Sequence, residues 1–548
     1  MKSLSIRDII GPVMIGPSSS HTAGALRIAR MCRRLLSDKP VRATFYLYGS
    51  FAHTYRGHGT DRALVAGMLG MEPDDDRIRD SFDLAREEGL SFEFVPREED
   101  SDIGHPNTVD IEVEDAGGSV TSMRGESIGG GAAVISRING IDVRLTGEYH
   151  SIVVKQYDRR GVLAHIATCL NVFDINIATT RLFRKKKGDI AYTIMQTDDE
   201  IPEALAAAVA RNADILDVRV VESDRASEGG APVRADETEP EGFGAGMTVD
   251  EAETLLESID FASGAEMLAY CEEEGLPLSD AICRRERCLL ASQGISVDDT
   301  KHYLHRVLDV MRASATRPLD DPQPSMGGLI GGEAKKLSAI EETGLANPLL
   351  ARATTYAMAV LETNASMGCI VAAPTAGSSG VLPAMLLACQ DVHGFGDEQL
   401  ERALANAAAI GYLITRNATV SGAEGGCQAE VGAASAMAAS AACELMGGTP
   451  RQCFAAASNA LTGLMGLVCD PIAGLVEAPC QKRNATGVAN AIVAAQIALA
   501  GIDNLVDFDQ TVEAMRRVGC ALPFELRESA LGGLAATPAA CAFCGGCK

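Results

Sequence analysis

Three cysteines in the last quarter of the chain stand where metal ligands stand rather than where core thiols do. Cys427 lies in the glycine-rich turn SGAEGGCQAE, and Cys469 and Cys480 lie eleven residues apart in LVCDPIAGLVEAPCQKRN. Each has glycine, Asp-Pro or proline beside it, and polar neighbours. Cys443, by contrast, falls mid-helix and reads as a buried core thiol. A ligand must be a thiolate, so the ordinary thiol pKa of about 8.5 has to be lowered. Lys482 and Arg483 supply positive charge for that. Three thiolates on three corners of a [4Fe–4S] cube leave one iron open, and an open iron is a Lewis acid. Zinc is the competing reading, and it would want a fourth ligand or water. The chain then closes on CAFCGGCK, where Cys541, Cys544 and Cys547 repeat a C-x2-C-x2-C spacing with no following Cys-Pro. A complete cluster there would need a ligand from elsewhere. A tail cysteine reaching into the open iron would satisfy both sites, and substrate would have to displace it.

Three loops could hold a small anionic substrate. In IGPSSSHTAG, Ser18, Ser19, Ser20 and His21 precede an amphipathic helix. In YGSFAHTYRGHGTDRA, His58, Thr60 and Asp61 lie among glycines before another helix. In TAGSSG, Thr375, Ala376, Gly377, Ser378 and Ser379 open an apolar helix. Hydroxyls and backbone N–H groups at helix N-termini suit a carboxylate or phosphate, though helix capping alone would use the same residues. No Lys-Ser/Thr follows TAGSSG, and GGLIGGEAKK has Glu333 where a phosphate-binding lysine would stand, so a P-loop is excluded. His58 and His21 are the candidate general bases, because imidazole titrates near neutrality, and the sequence does not choose between them.

These residues need several domains to position them. A chain of 548 residues exceeds one hydrophobic core. It has no tryptophan and abundant Gly and Ala, which favours helices packed closely on small residues. A formal charge of −26 argues against nucleic acid, and the one basic run, Arg184–Lys187, reads as a solvated hairpin tip. Eleven of the sixteen cysteines lie at or after Cys369, so whatever needs thiolates is expected there. The start MKSLSIRDII has no apolar signal region, and VANAIVAAQIALA is too short and too interrupted to span a bilayer. A cytoplasmic protein without a membrane partner is expected.

The fold expected is multidomain. Residues 1–147 alternate helix and strand as an α+β domain. Residues 148–222 read βαββαβ, a ferredoxin-like unit. Residues 223–246 are acidic and rich in Gly, Pro and Ala, and read as a linker. Residues 247–535 are mostly helical, and 536–548 form the cysteine-rich tail. With DRRGVLAHIA opening its first helix and DINIATTR its second strand, the 148–222 unit resembles an ACT domain. That resemblance implies pairing between copies, hence a homodimer, and an amino-acid site where Gly161 turns strand into helix.

GPSSSHTAG, YGSFAHTYRGHGTDRA, PTAGSSGVLPA, SGAEGGCQAEVG and CDPIAGLVEAPCQKRN together resemble the iron–sulfur L-serine dehydratases of bacteria, over nearly the whole chain. The resemblance implies a [4Fe–4S] cluster, no pyridoxal phosphate, and conversion of L-serine to pyruvate and ammonium in amino-acid degradation and gluconeogenesis. It places the cluster on Cys427, Cys469 and Cys480. It implies Cys547 as a fourth, displaceable ligand, with Cys544 and Cys541 as rivals. It also points to HPNT, with His105 and Asn107, as an effector contact, and leaves a monovalent cation requirement open. Possession of both an ACT segment and a tail cysteine departs from the plainest family pattern. The loops come from different domains, so the active site is expected between the N-terminal and helical domains. The rival activities are a lyase with the same cluster acting on L-cysteine or L-threonine, and an amino-acid sensor with a structural metal.

Overall fold

The computed structural model describes residues 4–97, 102–147, 149–197, 199–223, 243, 246–293, 295, 299–341 and 344–543. Most of the expected linker lies outside these residues, as do Cys544 and Cys547. The chain forms two compact units, Met1–Ser19 with Ala235–Lys548, and Ser20–Arg234.

The chain starts with a one-turn helix α1 (Ile6–Ile9) and a short strand β1 (Val13–Ile15). The second unit then runs α2 (Ala25–Arg34), β2 (Pro40–Leu47), α3 (Gly49–Thr54), α4 (Thr60–Met68), α5 (Ser81–Glu87), β3 (Ser91–Pro96), β4 (Thr108–Asp115), β5 (Val120–Gly129), β6 (Ala132–Ile138) and β7 (Ile141–Leu145). Its six strands lie in the order β3-β2-β4-β5-β6-β7, antiparallel except for the β2–β3 pair. Alternation sets the faces: Ala43, Phe45 and Leu47 of β2 are buried, while Arg42 and Glu114 pair on the other face. Helix α2 sits close on the sheet because Gly125 carries no side chain; a Cβ there would lie 2.2 Å from Ile28. The apolar run VRATFYLYGSFA is strand only as far as Leu47, because Gly49 takes φ +52 with Pro106 packed where a Cβ would stand, turning the chain into α3.

The same unit continues β8 (His150–Tyr157), α6 (Val162–Val172), β9 (Ile177–Arg184), β10 (Ile190–Thr197), α7 (Glu203–Val209) and β11 (Ile215–Val221). This is a βαββαβ unit with strand order β11-β8-β10-β9, every pair antiparallel. Ile152, Val154, Ile166, Leu170, Met195 and Leu205 fill the layer between sheet and helices. The basic run Arg184–Lys187 does fall at the β9–β10 turn, where Arg184 pairs with Asp158. Asn139 donates to the Tyr192 hydroxyl at 3.0 Å and Arg219 to Ser37 at 2.8 Å, which fastens this sheet to the six-stranded part.

Residues 4–15 belong to the other, helical unit rather than to the domain that the sequence suggested over 1–147. The reason is a set of buried polar anchors. Glu286 accepts from Ser5 Oγ at 2.5 Å and from the Ile6 amide at 3.0 Å. Arg285, fully buried, donates to the Leu4 carbonyl and to Asp260, and stacks on Tyr412. Tyr303 donates to the Ile10 carbonyl at 2.6 Å. Strand β1 then pairs antiparallel with β12 (Cys369–Val371). The rest of this unit is helical, with Ala-rich faces on Asp397–Asn417, Ala433–Leu445 and Cys480–Leu499 that let helix axes approach closely. Among the described residues no helix is long and apolar enough to cross a membrane.

Truncating Glu286 to Ala leaves the Ser5 hydroxyl and the Ile6 amide buried without their acceptor. The expected cost is about 2–4 kcal/mol. Chemical denaturation of Glu286→Ala and wild type checks it; equal midpoints would mean that the N-terminal segment is not held by this carboxylate.

Candidate active site

Cys427, Cys469 and Cys480 are all buried, at 2%, 3% and 8% exposure. Cys427 follows Gly426, whose left-handed backbone (φ +75) leaves no room for a side chain: a Cβ there would lie 2.9 Å from the Leu467 carbonyl. The chain after it forms a wide π-helical turn, Gln428–Gly432, of the kind found at functional sites. Cys469 is fixed by its own backbone: its amide donates to the Leu526 carbonyl and its carbonyl accepts from the Glu528 amide. Cys480 begins the helix Cys480–Leu499 directly after Pro479. Ligand atoms of Cys427, Cys469 and Glu430 lie within 4.8 Å of one another.

The electrostatics mark this as a place that wants a cation. Hydrogen bonding to Cys427, burial and surrounding acidic groups push the Cys469 thiol well up. Burial, with the charges of Cys427 and Glu430, does the same to Cys480, and Arg483 opposes it. Burial pushes the Glu430 carboxyl up to about 7 against the hydrogen bond from Thr375. Glu528 is raised by burial and by Glu430 and Cys427. A bound metal cation inverts this logic and holds thiols as thiolates. Three buried thiols with carboxylates around them therefore fit a thiolate-bound metal group, and the soft donor set suits iron–sulfur or zinc. Arg483 makes a 2.7 Å ion pair with Asp470, bonds the Val468 carbonyl, and bears on Cys427. Lys482, expected to share this role, is exposed.

The TAGSSG loop comes to the same place. Thr375 donates to Glu430 at 2.9 Å and lies 3.0 Å from the Ser378 hydroxyl. Asn364 donates to the Ala376 carbonyl. Asn484 accepts from the Gly380 amide and donates to the carbonyls of Gly377 and Cys480, so loop and cysteine helix share one anchor. The Ser379 hydroxyl is buried and has no hydrogen-bond partner among the described residues, the condition of a group kept for a ligand.

In the other unit the two histidines meet. His21 and His58 are buried and pack edge to face with centroids 4.4 Å apart. His21 Nε2 lies 2.8 Å from Ser50 Oγ, and Thr22 donates to the His58 carbonyl. Burial, then the charge of His58, holds His21 well below the usual imidazole range, so it is neutral near pH 7. The Thr60 hydroxyl is buried with no hydrogen-bond partner among the described residues. Burial raises Asp61 to about 6. Ser18 and Ser19 are buried, and the chain passes from one unit to the other between Ser19 and Ser20. Ser20 accepts from Ser127 through its carbonyl.

Comparison with known proteins agrees with both halves. Residues 248–535 match the family described as serine dehydratase alpha chain, and residues 5–137 that described as serine dehydratase beta chain. An L-serine dehydratase of Streptomyces coelicolor is 30% identical over 97% of this chain and 98% of its own length. The chain belongs to the serine dehydratase family. Two Peptoniphilus asaccharolyticus proteins divide the likeness: an L-serine dehydratase alpha chain, 44% identical over 49% of this chain and 92% of its own, and a beta chain, 42% identical over 38% and 94%.

Glu430 and Glu528 stand beside the three cysteines and were not expected from the sequence. Glu430 stands three residues after Cys427, one helical turn on, which is the signal that could have found it. Glu528 had none, since it reaches the site through its backbone bond to Cys469. His105 accepts from the Asn107 amide through Nδ1, and the Asn107 side-chain oxygen has no hydrogen-bond partner among the described residues. Gly161 (φ +88) opens α6 with nothing close to the position of a Cβ. Cys541 ends a one-turn helix with its thiol 3.8 Å from the Ala535 carbonyl.

Asp61 gives a pH prediction. Its carboxyl holds a proton up to about pH 6 in the folded chain, against about 3.9 unfolded. The folded state therefore binds more protons between those values, and its contribution to stability is lost as pH rises through them. Urea midpoints from pH 4.5 to 6.5 should carry that fall in wild type and less of it in Asp61→Asn; identical slopes would refute the assignment.

Proposed function

We propose that this chain is an L-serine dehydratase, eliminating water from L-serine and releasing pyruvate and ammonium. The observation that carries it is the burial of Cys427, Cys469 and Cys480 around Glu430, which accepts from Thr375 of the hydroxyl-lined loop, in a chain alike over 97% of its length to an L-serine dehydratase. Cys427, Cys469 and Cys480 would hold a [4Fe–4S] cluster, and Cys547 is the proposed fourth ligand. When bound, the cluster supplies a Lewis acid that makes the β-hydroxyl a workable leaving group.

The chain's own residues do the rest. Backbone N–H groups and the Ser378 and Ser379 hydroxyls receive the substrate carboxylate. An imidazole of the His21–His58 pair removes the α-proton; burial keeps His21 neutral and lowers its basicity. His58 is the alternative base, and Ser18–Ser20, Thr60 and Asp61 line the same pair of motifs. The enamine product tautomerises and hydrolyses in water.

The βαββαβ segment is proposed as an ACT domain that joins two copies into a homodimer. Its strand order and the largely exposed strand β9 support that reading. Gly161, His105 and Asn107 are proposed effector contacts.

Protein purified without oxygen should form pyruvate from L-serine in step with about four irons per chain and lose both in air. Iron and sulfide without pyruvate would redirect the assay to L-cysteine and L-threonine. Serine binding with neither would favour a sensor. Serine substitution at Cys427, Cys469 or Cys480 should each lower iron content and drop activity by roughly 100-fold or more. Cys547→Ser should keep the cluster but change its oxygen sensitivity or the onset of turnover. Loss of iron in Cys547→Ser would make the tail structural.

A further inference from the structure

We propose that Glu477 is the positioning residue of Cys480: together with Gln481 it clamps the turn that carries this thiol, and the loop 325–334 holds the clamp shut. The inference rests on the reading of Cys480 as a metal ligand. It gives a task to GGLIGGEAKK, the glycine-rich motif that is not a P-loop.

The loop turns its N–H groups onto carboxylates of its own chain. Glu477 is 2% exposed and accepts from the Ser325 hydroxyl at 2.6 Å, the Gly327 amide at 2.7 Å and the Leu329 amide at 2.9 Å. The loop closes on itself as well, since Ser325 and Ile330 bond each other through the Ser325 amide and hydroxyl. Gly327 allows the close approach: a Cβ there would lie 2.8 Å from a Glu477 oxygen and 2.3 Å from Leu475. A second buried carboxylate, Glu362, accepts from the Gly332 amide at 3.0 Å, the Ala334 amide at 2.8 Å and the Gln481 side chain at 3.0 Å.

Cys480 stands between these two anchors, three residues after Glu477 and one before Gln481. Its side chain packs with Leu361, the neighbour of Glu362, and with Val476, the neighbour of Glu477. The other two thiols are held differently. The Gln428 amide, next to Cys427, bonds the Leu467 carbonyl, and the Cys469 amide bonds the Leu526 carbonyl. Opening the clamp therefore frees one thiol of three. A glutamine at 477 opens it: the two carboxylate oxygens both accept, one from Gly327 and the other from Ser325 and Leu329, whereas an amide must turn its NH2 toward one set of donors. Groups bonded around a metal ligand set its orientation, which is the sense in which Glu477 positions rather than binds.

The test uses the full chain as wild type, Glu477→Gln, Ser325→Ala and, as a buried carboxylate remote in sequence from the cysteines, Glu286→Ala. Before iron loading, iodoacetamide labelling of each cysteine is timed by peptide mass spectrometry, since a buried thiol reacts only when its surroundings open. After loading without oxygen, iron release to a ferrous chelator is timed. Glu477→Gln should label Cys480 about 10-fold faster than wild type, with Cys427 and Cys469 moved less than about 2-fold, and should release iron about 10-fold faster. Ser325→Ala should show the same pattern more weakly, and it decides alone if Glu477→Gln does not fold. Glu286→Ala should lose stability and leave both rates near wild type. No rise at Cys480, a rise shared equally by the three cysteines, or an equal rise in Glu286→Ala would overturn the assignment and leave Glu477 an ordinary structural carboxylate. A wild type that takes up no iron refutes the cluster reading instead, and the labelling pattern still decides for Glu477.

Discussion

The structure depends on packing groups that become negative into a place with little water. Cys427, Cys469, Cys480, Glu430 and Glu528 crowd together, and each raises the cost of ionising the next. Such a set is tolerable as neutral acids and thiols, or around a strong cation, and not as bare anions. That choice explains the surroundings. Arg483 is pinned by Asp470, and Asp470 in turn takes the Leu534 amide, so one positive charge is held beside Cys427. Glycines 377 and 422 remove side chains where the Glu430 carboxyl comes close, and Gly426 where the Leu467 carbonyl does. Metal binding and acid–base state are therefore one equilibrium at this site.

The N-terminal segment serves the same site from behind. Strand β1 pairs with β12, whose last residue, Val371, is four positions before Thr375. Asn364 and Asn484 hold the loop from the other side through its carbonyls. The loop's hydroxyls are thus placed by a sheet edge and two buried amides. A site must be held to within fractions of an ångström to discriminate, which buried and fully bonded supports provide. The buried Arg285–Asp260 pair and Glu286 contribute less as net stability than as register, since they decide which backbone groups of residues 4–10 lie where.

Periodic elements were legible because burial writes itself into spacing. Every strand and helix of the βαββαβ unit followed from alternation or helical spacing, and the helical character of the C-terminal part from its small-residue faces. The three cysteines and the TAGSSG loop were legible for a different reason: glycine and proline beside reactive side chains betray backbone that must approach something. What stayed hidden was tertiary. Nothing local says that residues 4–15 leave the sheet domain, because Ser5 and Glu286 are far apart in sequence. Glu528 is hidden likewise. The cluster of His21 on His58 was half visible, as two histidines in two loops, without their edge-to-face contact. Lys482 misled because adjacency in sequence on a helix sends neighbouring side chains to different faces.

The two crossings of the chain between its units give the fused arrangement a physical meaning. Relatives named alpha chain and beta chain match its two parts separately, whereas here the parts share one backbone. The chain crosses once near Ser19 and returns near Ala235. A tether replaces a bimolecular encounter with an effective concentration set by its reach, in the millimolar range for short flexible connections. The first crossing is the more demanding, because it runs through the Ser18–Ser20 motif itself. A crossing of linker composition would accept changes in length, since loop-closure entropy grows only with the logarithm of length. The serine motif tolerates none, because one added residue would move its hydroxyls relative to the strand that anchors them.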